Sequence, residues 1–146
     1  MADGRFPTVD TIVLDAPSAV PEVRHRTGEV LAGWRCRAES IDDAVLVASE
    51  VVTNAVEHGA GQVRVRLLRR GRRIRIEVQD DSPRPPVLLA LGRTAERGRG
   101  LHIVAELAER WGSRRTAAGK IVWAELPSGV DFAVDDLAGD RISSRG

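Results

Sequence analysis

The sequence is poor in cysteine, in lysine and in long apolar runs, and each shortage excludes something. Cys36 stands alone in 146 residues, so no intrachain disulfide can staple the chain and a reducing compartment fits. No Cys/His spacing resembles a zinc cluster. No stretch approaches the roughly 20 apolar residues of a membrane span, and the N-terminus, with Asp3 and Arg5, has no apolar run of signal-peptide length. A cytoplasmic protein is therefore expected. Charge of one sign is also missing: 22 Lys+Arg against 21 Asp+Glu leave +1, which gives no global attraction to nucleic acid or membrane. Lys120 is the sole lysine, a bias toward arginine that fits a GC-rich genome better than a binding function. There is no G-x-x-x-x-G-K-[ST], which excludes a Walker-type phosphate loop. Internal repeats are absent.

What is present suits one soluble globular domain, with 42% hydrophobic and 29% charged residues. Thr11–Asp15 (TIVLD) reads as a first strand, and Ala19 to Arg37 as an amphipathic helix with Val20, Val23, Val30, Leu31 and Trp34 at near-helical spacing. A second helix begins at Ser40, a good N-cap followed by Asp42 and Asp43, and ends at His58-Gly59. Val63, Val65 and Leu67, then Ile74, Ile76 and Val78, alternate with polar residues as two strands of a hairpin turning at Gly71. Arg69, Arg70, Arg72 and Arg73 crowd that turn and read as solvated. Asp80 to Gly100 holds three prolines and three glycines and suits a long lid or binding loop. A helix from about Gly100 to Arg110 and a hairpin of Trp111–Arg115 with Lys120–Leu126 follow. The expected architecture is an α/β two-layer sandwich, a mixed, mostly antiparallel sheet with helices on one face.

Three stretches could carry chemistry. On the second helix, Glu50, Asn54 and His58 recur every four residues, and a four-residue step drifts only about 40° around the axis. They form a polar stripe beside the apolar stripe of Ala44, Ala48, Val51 and Ala55. Alone, this pattern is more often a solvated helix flank than a pocket edge. Asp80, at the end of a strand, could accept a hydrogen bond from an exocyclic amine such as adenine's, or serve as a turn residue before Ser82-Pro83. Gly98-Arg99-Gly100 opens a helix, where free N–H groups bind anions, but a lone G-x-G is equally loop punctuation. It follows no strand of a βαβ unit, which argues against a dinucleotide fingerprint.

In order and spacing the three stretches resemble the N, G1 and G2 boxes of the GHKL (Bergerat-fold) ATPases. Within them, ASEVVTNAVEHG, VQDDSPRPP, RGRGLHIVAELAERWG and GKIVWAEL look most like the anti-sigma-factor serine/threonine kinases and their stand-alone actinobacterial relatives. The resemblance covers roughly residues 11–127, with residues 1–10 left as a flexible arm and 128–146 as a polar, acidic tail. It implies ATP and Mg²⁺ as cofactors, with Asn54 as the metal ligand and Glu50 as the general base. It implies that Asp80 accepts from the adenine amine, and that Ser82, Gly98, Arg99, Gly100 and Leu101 line the nucleotide, with His58 in the third position of its box. Ser82 and Arg84 stand where the second box usually has glycines, a departure familiar for serine in the actinobacterial branch. Pro83, Pro85 and Pro86 would stiffen the lid. No helices with a phospho-accepting histidine precede the domain, so a complete sensor histidine kinase is not expected. The implied function is an ATP-binding anti-sigma factor with serine kinase activity on an anti-anti-sigma (STAS) partner. The alternative is an ATP-gated interaction module with little or no kinase activity. The implied partners are a sigma factor, a STAS-domain protein or both, with a homodimer as a further option; neither direct nucleic-acid contact nor a membrane is expected.

Overall fold

In the computed structural model, residues 8–58, 60–81 and 98–130 are described, with side chains at 10–58, 60–81 and 103–130. Ser82, the proline-rich stretch after it, and the segments 1–7 and 131–146 of the expected arm and tail lie outside them. The elements follow as β1 (Thr8–Asp15), α1 (Ala19–Gly33), α2 (Ala38–Glu57), β2 (Gln62–Arg70), β3 (Arg73–Asp80), α3 (Gly98–Leu107), β4 (Arg110–Thr116) and β5 (Gly119–Pro127). The strands form one sheet in the order β1-β2-β3-β5-β4, and all four pairings are antiparallel.

Period-two alternation divides the sheet as the sequence predicts. Ile12 and Leu14, Val63, Val65 and Leu67, Ile74, Ile76 and Val78, and Val122, Ala124 and Leu126 are buried in the core beneath the helices. α2 is the central helix: it packs on β2, β3 and β5 and on both α1 and α3. It contributes Ala44, Val47, Ala48, Val51, Val52 and Ala55, each buried. Among the described residues no helix covers the other face, where cross-strand pairing lines up charges instead. Arg75 bridges Glu77 and Glu125, each at 2.8 Å, and Arg66 meets Glu77 at 3.0 Å. Trp123 lies beneath the Arg75 guanidinium, 4.3 Å from ring centre to carbon. This cover leaves Glu77 and Glu125 only 7% and 5% exposed.

Three boundaries differ from the sequence expectation, each for a local reason. β1 starts at Thr8, because its pairing with β2 runs on to Thr8↔Arg69. α1 stops at Gly33, not Arg37, because Arg35 turns into the left-handed region at φ 62°. Cys36 N–H then donates to Leu31 O and Arg35 N–H to Ala32 O, closing a Schellman motif. α2 begins two residues before Ser40, at Ala38, because Arg37 N–H is tied to Ser128 O at 3.1 Å. Ser40 is thus buried in the first turn, and is not the cap.

The Arg35 position is the motif's usual glycine site, occupied here by a residue with a Cβ. Arg35→Gly is expected to stabilise the fold by about 0.5–1 kcal/mol, since the left-handed penalty exceeds glycine's extra unfolded-state entropy. Chemical denaturation with an unchanged m-value checks this.

Candidate functional site

Chain direction gathers the predicted residues at one end of the sandwich. The start of α2 is tied to Ser128, just past the end of β5, so its C-terminal half runs toward the opposite end of the sheet. There α2 gives way to β2, whose Val63 pairs with Asp80 at the end of β3. Asp80 in turn pairs with Lys120 at the start of β5. The far end of α3 is held where Glu109 N–H donates to Glu125 O at 2.8 Å. Its first turn, at Gly98, Arg99, Gly100 and Leu101, therefore lies one helix length, about 15 Å, away from that tie. The G-x-G pair sits inside this first turn and not ahead of it. The turn's backbone N–H groups have no intrahelical acceptor, as in any helix start.

The polar stripe of α2 is not a wet flank. Asn54 is only 9% exposed, and Glu50 and His58 are half-buried. The hydroxyls beside them are satisfied on the helix itself, Thr53 Oγ1 to Ser49 O at 2.6 Å and Ser49 Oγ to Leu46 O at 2.9 Å. The Asn54 carboxamide, by contrast, makes no hydrogen bond among the described residues, and Glu50 makes neither a hydrogen bond nor an ion pair there. His58 Nε2 is buried and has no partner among them. Of the three, His58 Nε2 is the atom that is both buried and unpartnered among the described residues; such a group costs about 1–3 kcal/mol, so this end of the sheet suits a ligand that supplies the missing contact.

Asp80 behaves in the opposite way. Its side chain faces the helix layer with Val78 and Ile76, but it is not a lone carboxylate: Lys120 Nζ donates to Oδ1 at 3.0 Å, and both side chains are all but fully buried. Gly119 makes this approach possible. A Cβ there would fall on the Asp80 carbonyl oxygen and within 2.8 Å of Asp81 Cα. Sequence reasoning assigned neither residue to the site, noting Gly119 within the stretch GKIVWAEL and Lys120 as part of a compositional bias. The available signal was a single lysine in a chain otherwise basic through arginine, placed directly after a turn. Cys36 is no nucleophile: burial pushes its thiol up to about 11, against the opposing charge of Arg69.

The family described as histidine kinase-like ATPase domain matches residues 13–126. The chain belongs to that family. Membership implies ATP as a ligand of this domain. A search of curated proteins found no match. Among solved structures, the histidine kinase domain of the blue-light activated histidine kinase from Erythrobacter litoralis EL346 is similar at a TM-score of 0.51 and 20% identity. That match covers 88% of this chain and 66% of the other, so this chain spans just under two thirds of its relative's length. The catalytic domain of histidine kinase ThkA overlaps at a TM-score of 0.46 and 13% identity, covering 82% of this chain and 97% of that one. The first likeness bears out the α/β sandwich with helices on one face of an antiparallel sheet. No helix among the described residues is long and apolar enough to cross a membrane.

Two substitutions separate the loose and the fixed parts of the site. Asn54→Ala is expected to change the stability of the ligand-free protein by less than about 1 kcal/mol, because no hydrogen bond is lost with the carboxamide. Gly119→Ala is expected to cost at least about 2 kcal/mol, because its methyl meets backbone that cannot swing aside. Thermal and urea unfolding without nucleotide check both, and equal effects would show that Asn54 is structural.

Proposed function

We propose that this chain is an ATP-binding regulatory protein that acts as a serine kinase on an anti-anti-sigma (STAS) partner and so controls a sigma factor. The observation that carries this reading is the pair Glu50 and Asn54. They stand one helical turn apart, neither holding a protein partner among the described residues, on an ATPase-family domain. The resemblance of the same boxes to those of anti-sigma-factor kinases supports the reaction and the partners.

The residues fit the roles in chemical kind. Asn54 offers an uncharged hard oxygen, the donor type that Mg²⁺ takes beside nucleotide phosphates. Among the described residues no three His, Cys, Asp or Glu side chains cluster as a protein-only metal cage, so the phosphates would complete the shell. Bound Mg·ATP supplies the phosphoryl group and neutralises its charge. Glu50 takes the proton as a seryl oxygen of the partner bonds to the γ-phosphorus and ADP leaves. Asp80 accepts from the adenine amine. Backbone N–H groups of Gly98, Arg99, Gly100 and Leu101 face phosphate oxygens, and His58 Nε2 gains the partner it lacks.

A second reading, an ATP-gated interaction module with little or no kinase activity, is favoured by one observation. No described residue holds Glu50 in place, whereas a general base is ordinarily oriented by a neighbour. Mg·ATP at 100 times its Kd is expected to stabilise the protein by about 2.7 kcal/mol, and Asn54→Ala to remove most of the Mg²⁺-dependent part. Transfer of label from γ-labelled ATP to STAS proteins encoded nearby is expected to fall at least about 100-fold in Glu50→Gln, with ATP binding kept. Binding without transfer to any partner would establish the module instead.

A further inference from the structure

We propose that the arginine cluster at the end of the sandwich opposite the candidate site is a docking surface for an acidic segment, and that its occupant is this chain's own residues 131–140. The inference goes beyond the nucleotide reading and does not depend on it.

Three segments distant in sequence meet at this end. Arg37 N–H donates to Ser128 O at 3.1 Å, and Ser128 N–H donates to Arg72 O at 2.7 Å. Arg70 and Arg73 pair across the turn at Gly71. The Arg69 guanidinium lies 5.4 Å from the Trp34 ring centre, and its charge reaches the Cys36 thiol between Arg35 and Arg37. Segments 34–37, 69–73 and 128–130 thus bring together six arginines and no acidic residue. Glu109 engages Arg73 at 3.2 Å and Glu39 stands in the first turn of α2, which still leaves an excess of positive charge. Arg35, Arg37, Arg70 and Arg72 are exposed. Like charges crowded in this way repel, and an anion laid among them lowers that cost.

The chain itself delivers an anion to this place. Ser128 is fully buried; its Oγ donates to Arg72 O at 3.0 Å and accepts from Val130 N–H at 3.0 Å. Gly129 turns at φ 78° directly against Arg37, where a Cβ would overlap the arginine side chain. Val130 then packs on the edge of the core. Residues 128–130 are therefore fastened among the arginines, and Asp131 follows at once. Residues 131–140 hold Asp131, Asp135, Asp136 and Asp140 and no basic residue. Their carboxylates are the group that a guanidinium fork binds best. One exposed ion pair contributes little, but a short tether sets an effective concentration on the order of millimolar, so several weak pairs suffice. An acidic segment of another protein lacks that tether and must displace this one.

The test is NMR of the ¹⁵N-labelled full chain without nucleotide. At about 10 mM salt, where the Debye length is about 30 Å, amides 131–140 are expected to have order parameters above about 0.6. In 1 M salt, where that length is about 3 Å, they are expected to fall below about 0.6. The combined variant Asp131→Asn, Asp135→Asn, Asp136→Asn and Asp140→Asn is expected to show the same loss at low salt. It is also expected to move the Nε–Hε signals of Arg37, Arg70 and Arg72 while leaving those of Arg114 and Arg115 in place. The reciprocal variant, Arg37→Gln with Arg70→Gln and Arg72→Gln, is expected to release the segment likewise; should it not fold, the asparagine variant decides. Order that survives the asparagine substitutions shows an apolar contact and overturns the proposal. Order that rises with protein concentration makes a second copy the occupant and overturns it too. A segment as mobile in wild type as in the asparagine variant at low salt also overturns it, even where added poly-aspartate shifts the same arginines and marks the surface as a partner's.

Discussion

The small side chains on the inner face of α2 are the constraint on which the rest depends. Ala44, Ala48 and Ala55, with Val47, Val51 and Val52 between them, let the helix lie close over β2, β3 and β5, and all six are at most 4% exposed. Side chains of this size leave little room for the helix to shift without opening cavities, which a packed interior penalises. Asn54 and His58 continue the line of Val47 and Val51 at positions i+7 and i+11. The close approach that buries the valines therefore buries the carboxamide as well. Its low exposure follows from the packing of the helix.

The two faces of the sheet solve the same problem differently. Under the helices, apolar residues fill the strands and the Asp80–Lys120 ion pair stands at the end of the layer. On the other face no helix is present among the described residues, and arginines themselves provide cover. Arg75 lies across Trp123 and holds Glu77 and Glu125, so that apolar ring and alkyl stem exclude water from the carboxylates. The excess of arginine that composition alone attributes to the genome thus has a structural use on this face.

Much of the fold was legible because it is written in period. The alternation of Val63, Val65 and Leu67 with arginines, and the repeat from Ala44 to Ala55, give strand and helix with the correct faces. Helix ends were less legible, since they were set by contacts distant in sequence. Nothing near Arg37 announces a tie to Ser128, and Arg35 in a left-handed turn lacks the glycine that would have marked it. The candidate site was legible as a list of residues and not as an arrangement. Glu50, Asn54 and Asp80 could be picked out by spacing, but that Asn54 is buried without a described partner while Asp80 is firmly held depends on strand register. Register across β3 and β5 is also what brings Lys120 into the site, from 40 residues along the chain.

That contrast between held and unheld groups gives the site a direction. A fixed acceptor at the Asp80 end costs a ligand little ordering, and so suits recognition of a base. At the α2 end, the ring nitrogen of His58 is already desolvated, so a contact made there recovers a penalty the free protein carries. A ligand spanning both ends would be selected at one and stabilise the protein at the other. Because α2 touches α1, α3 and three strands, satisfying His58 at its end bears on the element around which the sandwich packs.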